Sequence, residues 1–224
     1  MAGMPYLVGV DEAGYGPNLG PLVISLTAWH VPDEPWQVDL YERLSDTIAA
    51  TTGDERIAVA DSKVLYRPGA GLSLLERGVL PAVAAVAARP ADLGQLWSAL
   101  EADPDKRRHR LPWHQTDERP LPVGLETSET ERLTASLNHG LEAAGVRLVA
   151  MRSRAVFPEE FNMLVEARGT KGAALSHLSM QLLANTLRKL GDEPLLAVCD
   201  KHGGRNRYGP LLQEVCGDQL VEVH

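Results

Sequence analysis

The sequence predicts an α/β fold, a mixed sheet flanked by helices with a surface insertion, and three observations carry that prediction. The chain opens with two apolar runs, PYLVGVDE and LGPLVISLTAWHV, joined by a turn rich in glycine and proline, the pattern of an antiparallel hairpin. Later segments, TSETERLTASLNHGLEAAG and KGAALSHLSMQLLANTLRKLG, repeat apolar residues at three- and four-residue intervals, as amphipathic helices do. Between helices lies EPLLAVCD, a short unbroken apolar run of the kind that forms a buried parallel strand.

Taken in order, the first strand ends in two acids, Asp11 and Glu12, and the second follows the turn. VADSKVLY then leads through RPGAG into LSLLERGVLPAVAAVA, a helix expected to break or kink near Pro81, where the ring removes a backbone donor. From about residue 89 to 125 proline, tryptophan and charge accumulate around one short helical stretch, Leu93 to Leu100, so this segment is expected to be an insertion on the surface rather than core. Ser128 and Glu131 are spaced as a capping box for the next helix, and Gly145 is placed to end it. VRLVAMRSRAV reads as a strand, FPEEFNMLVEARG as a helix with Pro158 and two acids in its first turn, and the long helix follows. After EPLLAVCD come a short helix, NRYGPLLQEVCGD, and the start of a further strand, QLVEVH. The whole of residues 1–224 is expected to form one domain.

Composition narrows the function classes. With 224 residues, 44% of them hydrophobic, the chain can bury a sizeable core. No signal-peptide pattern and no membrane-length apolar run is present, so a cytoplasmic protein is expected. Cys199 and Cys216 lack metal-ligand spacing and are expected to be buried free thiols. A formal net charge of −8 argues against a protein that coats nucleic acid, because such affinity comes from cations neutralising phosphates. Basic residues gather instead in DKRRHR (105–110), either a solvated loop or a local phosphate contact, and in DKHGGRNR (200–207).

The acids carry the chemistry. Asp200 ends one apolar strand as Asp11 and Glu12 end another, and in open α/β sheets ligand sites gather at strand ends. Carboxylates converging there suit Mg²⁺ or Mn²⁺, which take oxygen ligands and can assist phosphoryl transfer. Neighbouring side chains on an ideal strand face opposite ways, so Asp11 and Glu12 can share one site only if the chain leaves strand geometry near Ala13-Gly14. The blander alternatives are a solvated strand terminus for the first pair and a helix cap or salt bridge for Asp200. His177 reads as a packed, hydrogen-bonded residue; Trp97 and Trp113 read as anchors of the insertion, with stacking on bases as the alternative.

GVDEAGYGPNLGPLV closely resembles the N-terminal motif of type 2 ribonucleases H (ribonuclease HII). Residues 61–63, DSK, are similar to that family's Asp-Ser-Lys element, and LSHLSMQLLANTLRKLGDEPLLAVCDK is similar to its long helix and the strand bearing its third acid. The resemblance implies a ribonuclease H-like fold, with Asp11, Glu12 and Asp200 as catalytic metal ligands for Mg²⁺ or Mn²⁺. It further implies that the Gly14-Tyr15-Gly16 backbone and Lys63 contact nucleic acid. The implied activity is hydrolysis of the RNA strand of RNA–DNA hybrids, or incision at ribonucleotides embedded in duplex DNA, leaving 3′-hydroxyl and 5′-phosphate ends. Tyr15 stands where the family has arginine, which alters the phosphate contact available there. The resemblance implies a fourth acid on a segment after the next strand, where this sequence reaches His224, so the expectation is either a C-terminally truncated chain or an incomplete site; Glu222 matches no family position and reads as an ordinary surface or sheet-edge glutamate.

The loop DKHGGRNRY has no counterpart in that family. Lys201, Arg205 and Arg207, with His202 between them, are expected to grip phosphate ahead of a helix N-terminus, or else to cap that helix and pair with surface acids. Two other functions remain open at this level: a non-catalytic ribonuclease H-fold module that binds nucleic acid or a protein, and a metal-dependent DNA nuclease on the same fold.

Overall fold

A computed structural model describes residues 4–13, 20–66, 68–112, 119–202, 207–217 and 222–223. Strand β1 (Tyr6–Ala13) pairs antiparallel with β2 (Leu22–His30), as the hairpin pattern predicts. Two-residue strands β3 (Ile48–Ala49) and β4 (Ile57–Ala58) form a separate parallel pair that the sequence reading missed. The remaining strands are β5 (Arg147–Val156) and β6 (Leu195–Cys199), and the main sheet runs β5-β2-β1-β6. β6 is parallel to β1 and β5 antiparallel to β2, which makes a mixed four-stranded sheet.

The helices are α1 (Leu40–Arg43), α2 (Ser62–Leu65), α3 (Ser73–Val86), α4 (Leu93–Ala99), α5 (Thr127–Ala143), α6 (Pro158–Arg168), α7 (Lys171–Leu187) and α8 (Gly209–Cys216). Alternation along the strands divides the core between the two sheet faces. Val8, Val10, Ile24 and Leu26 face α7 and α8, meeting Leu175, Leu178 and Leu212. Trp29, Leu148 and Met151 face the other way, toward Leu133 and Leu137 of α5 and Ala82 of α3. No helix among the described residues is long and apolar enough to cross a membrane.

Several expectations are corrected. α3 does not break at Pro81 but continues through it, and Pro81 is buried with Leu80 and Val83, so burial of that face offsets the one missing backbone bond. The proposed capping box does not form: α5 begins at Thr127 with Glu126 at its N-cap and no side-chain cap, which leaves Ser128 already inside the helix. β6 is parallel but forms an edge of the sheet, and it is half-buried, with Val198 57% exposed, rather than covered on both faces. Gly145 has φ +64° directly after the α5 C-cap, the left-handed conformation that lets glycine close a helix. The strand expected from QLVEVH falls mostly outside the described residues, and Glu222 and Val223 are not in a strand.

The insertion is also more than surface. The carbonyls of Leu100 and Ala102 accept hydrogen bonds from the backbone N–H groups of Ser153 (2.9 Å) and Ala155 (2.8 Å), which lays this segment along β5. Trp97 stacks on Phe157 with ring centroids 6.4 Å apart and carries the Arg108 guanidinium on its ring, so it serves as an anchor. Within DKRRHR, Arg108 is buried near Asp103, and Arg107 pairs with Glu160 of α6. Those two arginines are structural contacts rather than part of a solvated loop.

Two tests of the packing follow. Gly140 of α5 lies against the buried Thr47: a Cβ added there would come 2.9 Å from the Thr47 Cβ and closer still to its hydroxyl. Glycine to alanine normally stabilises a helix by roughly 1 kcal/mol, but overpacking costs about 1–3 kcal/mol. Gly140→Ala is therefore expected to lower stability in urea denaturation, and adding Thr47→Ala to recover part of the loss.

Glu129 accepts hydrogen bonds from Arg77 of α3 and Arg132, which hold its carboxyl down at about 2, the Arg132 bond contributing most. A carboxyl depressed on folding gives stability that is present above its ordinary value of 4.5 and lost as pH falls toward 2. Glu129→Gln should cost about 0.5–1 kcal/mol at pH 7, as partly exposed pairs do, and the difference from the parent should shrink through that acid window in denaturation midpoints.

Candidate functional site

The parallel register of β1 and β6 ends at Val10 opposite Cys199. The next residues along the two strands are Asp11 and Asp200, so acids 189 positions apart in sequence arrive side by side at one end of the sheet. Across the other edge of β1, Asp11 pairs with Ser25, which pairs in turn with Ser153, and the two serine hydroxyls lie 3.0 Å apart. Asp11, Ser25 and Ser153 thus form a polar row on one face.

Glu12 belongs to the opposite face, continuing the inward series Tyr6, Val8 and Val10. Its Oε2 is buried and has no hydrogen-bond partner among the described residues, and the Nε2 of the buried His202 stands 3.9 Å away. His202 is held in turn by its backbone N–H, which donates to the Tyr208 hydroxyl at 3.0 Å. Burial raises the Glu12 carboxyl above its usual range, and the charges of Asp11 and then Asp200 raise it further. Asp11 folds back on the chain, its Oδ1 accepting the Glu12 backbone N–H at 2.8 Å.

The departure from strand geometry expected after Glu12 does not occur within the described residues. Ala13 still pairs with Val23, and this regular ladder sends Asp11 and Glu12 to opposite faces. Among the described residues no group of three or more His, Cys, Asp or Glu side chains could hold a metal ion as arranged.

The other predicted residues divide. Lys63 lies in α2, which Asp61 caps by accepting the Lys63 backbone N–H at 2.8 Å. Among the described residues no hydrogen bond or ion pair joins Lys63 to the three acids. Lys201 follows Asp200 and is exposed, as is Arg207. Gly14, Tyr15, Gly16, Arg205 and Trp113 lie outside the described residues. His177 is packed as expected, its Nε2 accepting from Arg168 at 3.1 Å, and burial followed by the Arg168 charge lowers its pKa. Both cysteines are free and half-buried, and burial, then the neighbouring Asp200, pushes the Cys199 thiol up to about 11.

Two features of this region escaped the sequence reading. The approach of His202 to Glu12 brings together residues 190 positions apart, which no local spacing reveals. The serine pair beside Asp11 had a signal, the alternation of Ser25 and Thr27 with apolar residues in LVISLTAWH.

Comparison with family models, with curated proteins and with solved structures finds no match to this chain.

Proposed function

We propose that this chain is a divalent-metal-dependent endonuclease of ribonuclease HII type, acting on the RNA strand of RNA–DNA hybrids or at ribonucleotides embedded in duplex DNA. The observation that supports the reading is the register that brings the backbones of Asp11 and Asp200 side by side next to Glu12, whose partly buried carboxyl feels both charges and has one oxygen with no hydrogen-bond partner among the described residues. Such crowding of like charges costs free energy that a bound cation would relieve, and an all-oxygen donor set matches Mg²⁺ or Mn²⁺.

Asp11 and Asp200 would hold the cation, with Glu12 joining them only where the end of β1 leaves the ladder that now turns it to the other face, and when bound the cation would lower the pKa of the attacking water and stabilise the leaving oxygen. The remaining residues position the substrate. The Ser25 and Ser153 hydroxyls offer neutral hydrogen-bonding groups beside Asp11, exposed Lys201 next to Asp200 would supply positive charge for the nucleic-acid backbone, and exposed Arg207 would add to it. Hydrolysis forms a bond from the water oxygen to phosphorus and breaks the bond to the 3′ oxygen, leaving a 3′-hydroxyl and a 5′-phosphate.

A second reading, a non-catalytic ribonuclease H-fold module that binds nucleic acid or a protein, is favoured by the regular ladder that holds Asp11 and Glu12 on opposite faces. One assay separates the two. A duplex with one embedded ribonucleotide, an RNA–DNA hybrid and an all-DNA branched substrate are incubated with the protein and Mg²⁺ or Mn²⁺. Metal-dependent cleavage of either ribonucleotide-containing substrate supports the nuclease; tight binding without cleavage supports the module; cleavage of the branched DNA alone moves the activity to a DNA nuclease.

A further inference from the structure

A cavity of about 440 Å³ lies between the insertion, β5 and the C-terminal part of α7, and its wall includes none of Asp11, Glu12 or Asp200. Arg152 and Arg154 alternate on β5 so that both reach it, and Arg107, Arg188 and Lys189 complete a ring of five cations. The acids present are shared or occupied elsewhere. Glu101 serves both Arg152 (3.3 Å) and Lys189 (2.7 Å), and Glu160 serves both Arg107 and Arg154 (2.7 Å to the latter). Asp103 accepts the backbone N–H groups of Arg107 and Arg108, each at 2.9 Å, and Asp105 reaches Arg107 from an exposed position. Among the described residues Arg188 donates only to neutral oxygens, those of the Asn185 amide (2.7 Å) and the Val215 carbonyl (3.1 Å). The wall therefore carries excess positive charge in a chain whose net charge is −8.

We propose that this cavity binds a phosphate group, held by the Arg152, Arg188 and Lys189 corner where Glu101 is the nearest counter-charge. The wall as a whole carries five cations against four acids, but at this corner three cations face the one carboxylate of Glu101, a local excess of two that a doubly charged tetrahedral anion matches, and guanidinium groups present paired donors to its oxygens. The volume falls within the range of small-molecule sites, and the insertion is what closes it. This proposal does not depend on the nuclease reading, and the phosphate can come from a free small molecule or from a nucleic-acid strand.

Calorimetric titration of the full chain with inorganic phosphate, pyrophosphate and a short single-stranded DNA distinguishes the sources, with a chelator present so that no metal at the carboxylate site contributes. Saturable binding is expected, weakened about tenfold or more in the Arg188→Gln/Lys189→Gln double variant, since two charge-assisted contacts are removed. Asn185→Asp, which puts a negative charge beside Arg188, should weaken it too and serves if the double variant does not fold. Binding of phosphate or pyrophosphate with no uptake of DNA assigns a free ligand; tighter binding of DNA that competes with pyrophosphate assigns a strand. Absence of binding by all three, or equal binding by parent and variants, overturns the proposal.

Discussion

Asp200→Asn is expected to reduce metal-dependent cleavage of a ribonucleotide-containing duplex by at least about a hundredfold, because loss even of groups that only orient metal ligands costs 10–100-fold. The substitution keeps the size and shape of the side chain and removes one negative charge. That charge is one of the causes raising the Glu12 carboxyl, after burial and Asp11, so its removal relieves repulsion in the metal-free protein. Asp200 is exposed, so packing is not disturbed. The expected signature is therefore lost activity with an unchanged or raised melting temperature without metal. Asp11→Asn should behave alike in activity. Full activity of Asp200→Asn at saturating Mn²⁺ would remove Asp200 from the site.

Glu76→Ala should destabilise the fold by about 2–4 kcal/mol, since it removes two hydrogen bonds to a buried, charged acceptor, each worth about 1.5–3 kcal/mol. Glu76 is only 6% exposed, in the first turn of α3, and its two carboxylate oxygens accept the backbone N–H groups of Val123 (2.6 Å) and Gly124 (2.7 Å). Those donors lie where the insertion returns to the body, so one side chain fixes the exit of a long excursion. Gly124 leaves no space for an alternative: a Cβ there would meet the Ser73 backbone nitrogen at 2.9 Å. Glu76→Gln should cost less than alanine, because the amide keeps one acceptor oxygen while its NH₂ faces a donor. Urea denaturation of the two variants gives the comparison.

What could be read from the sequence was whatever local periodicity encodes. The β1–β2 hairpin showed in its alternation, and the helix from Lys171 in its apolar spacing. The acids at the strand ends were visible because polar residues closing an apolar run are unusual. Their relative placement was not, since it depends on β6 joining β1 in parallel, a pairing between distant segments. The capping box matched a motif, yet Glu126 is the N-cap and the helix begins at Thr127, so a matching spacing did not locate the boundary. β3 and β4 are too short for any period to register. The insertion looked superficial because its attachment rests on backbone carbonyls and on specific pairings, such as Glu76 with the backbone N–H groups of Val123 and Gly124 and Arg107 with Glu160, which composition does not record.

That attachment bears on solubility. Without residues 100–102, the N–H groups of Ser153 and Ala155 would form an unguarded rim to which a strand from another molecule could add, the usual beginning of edge-to-edge aggregation. The proline- and charge-rich excursion thus doubles as a selvedge, keeping the β5 side of the sheet from being extended by a neighbouring copy.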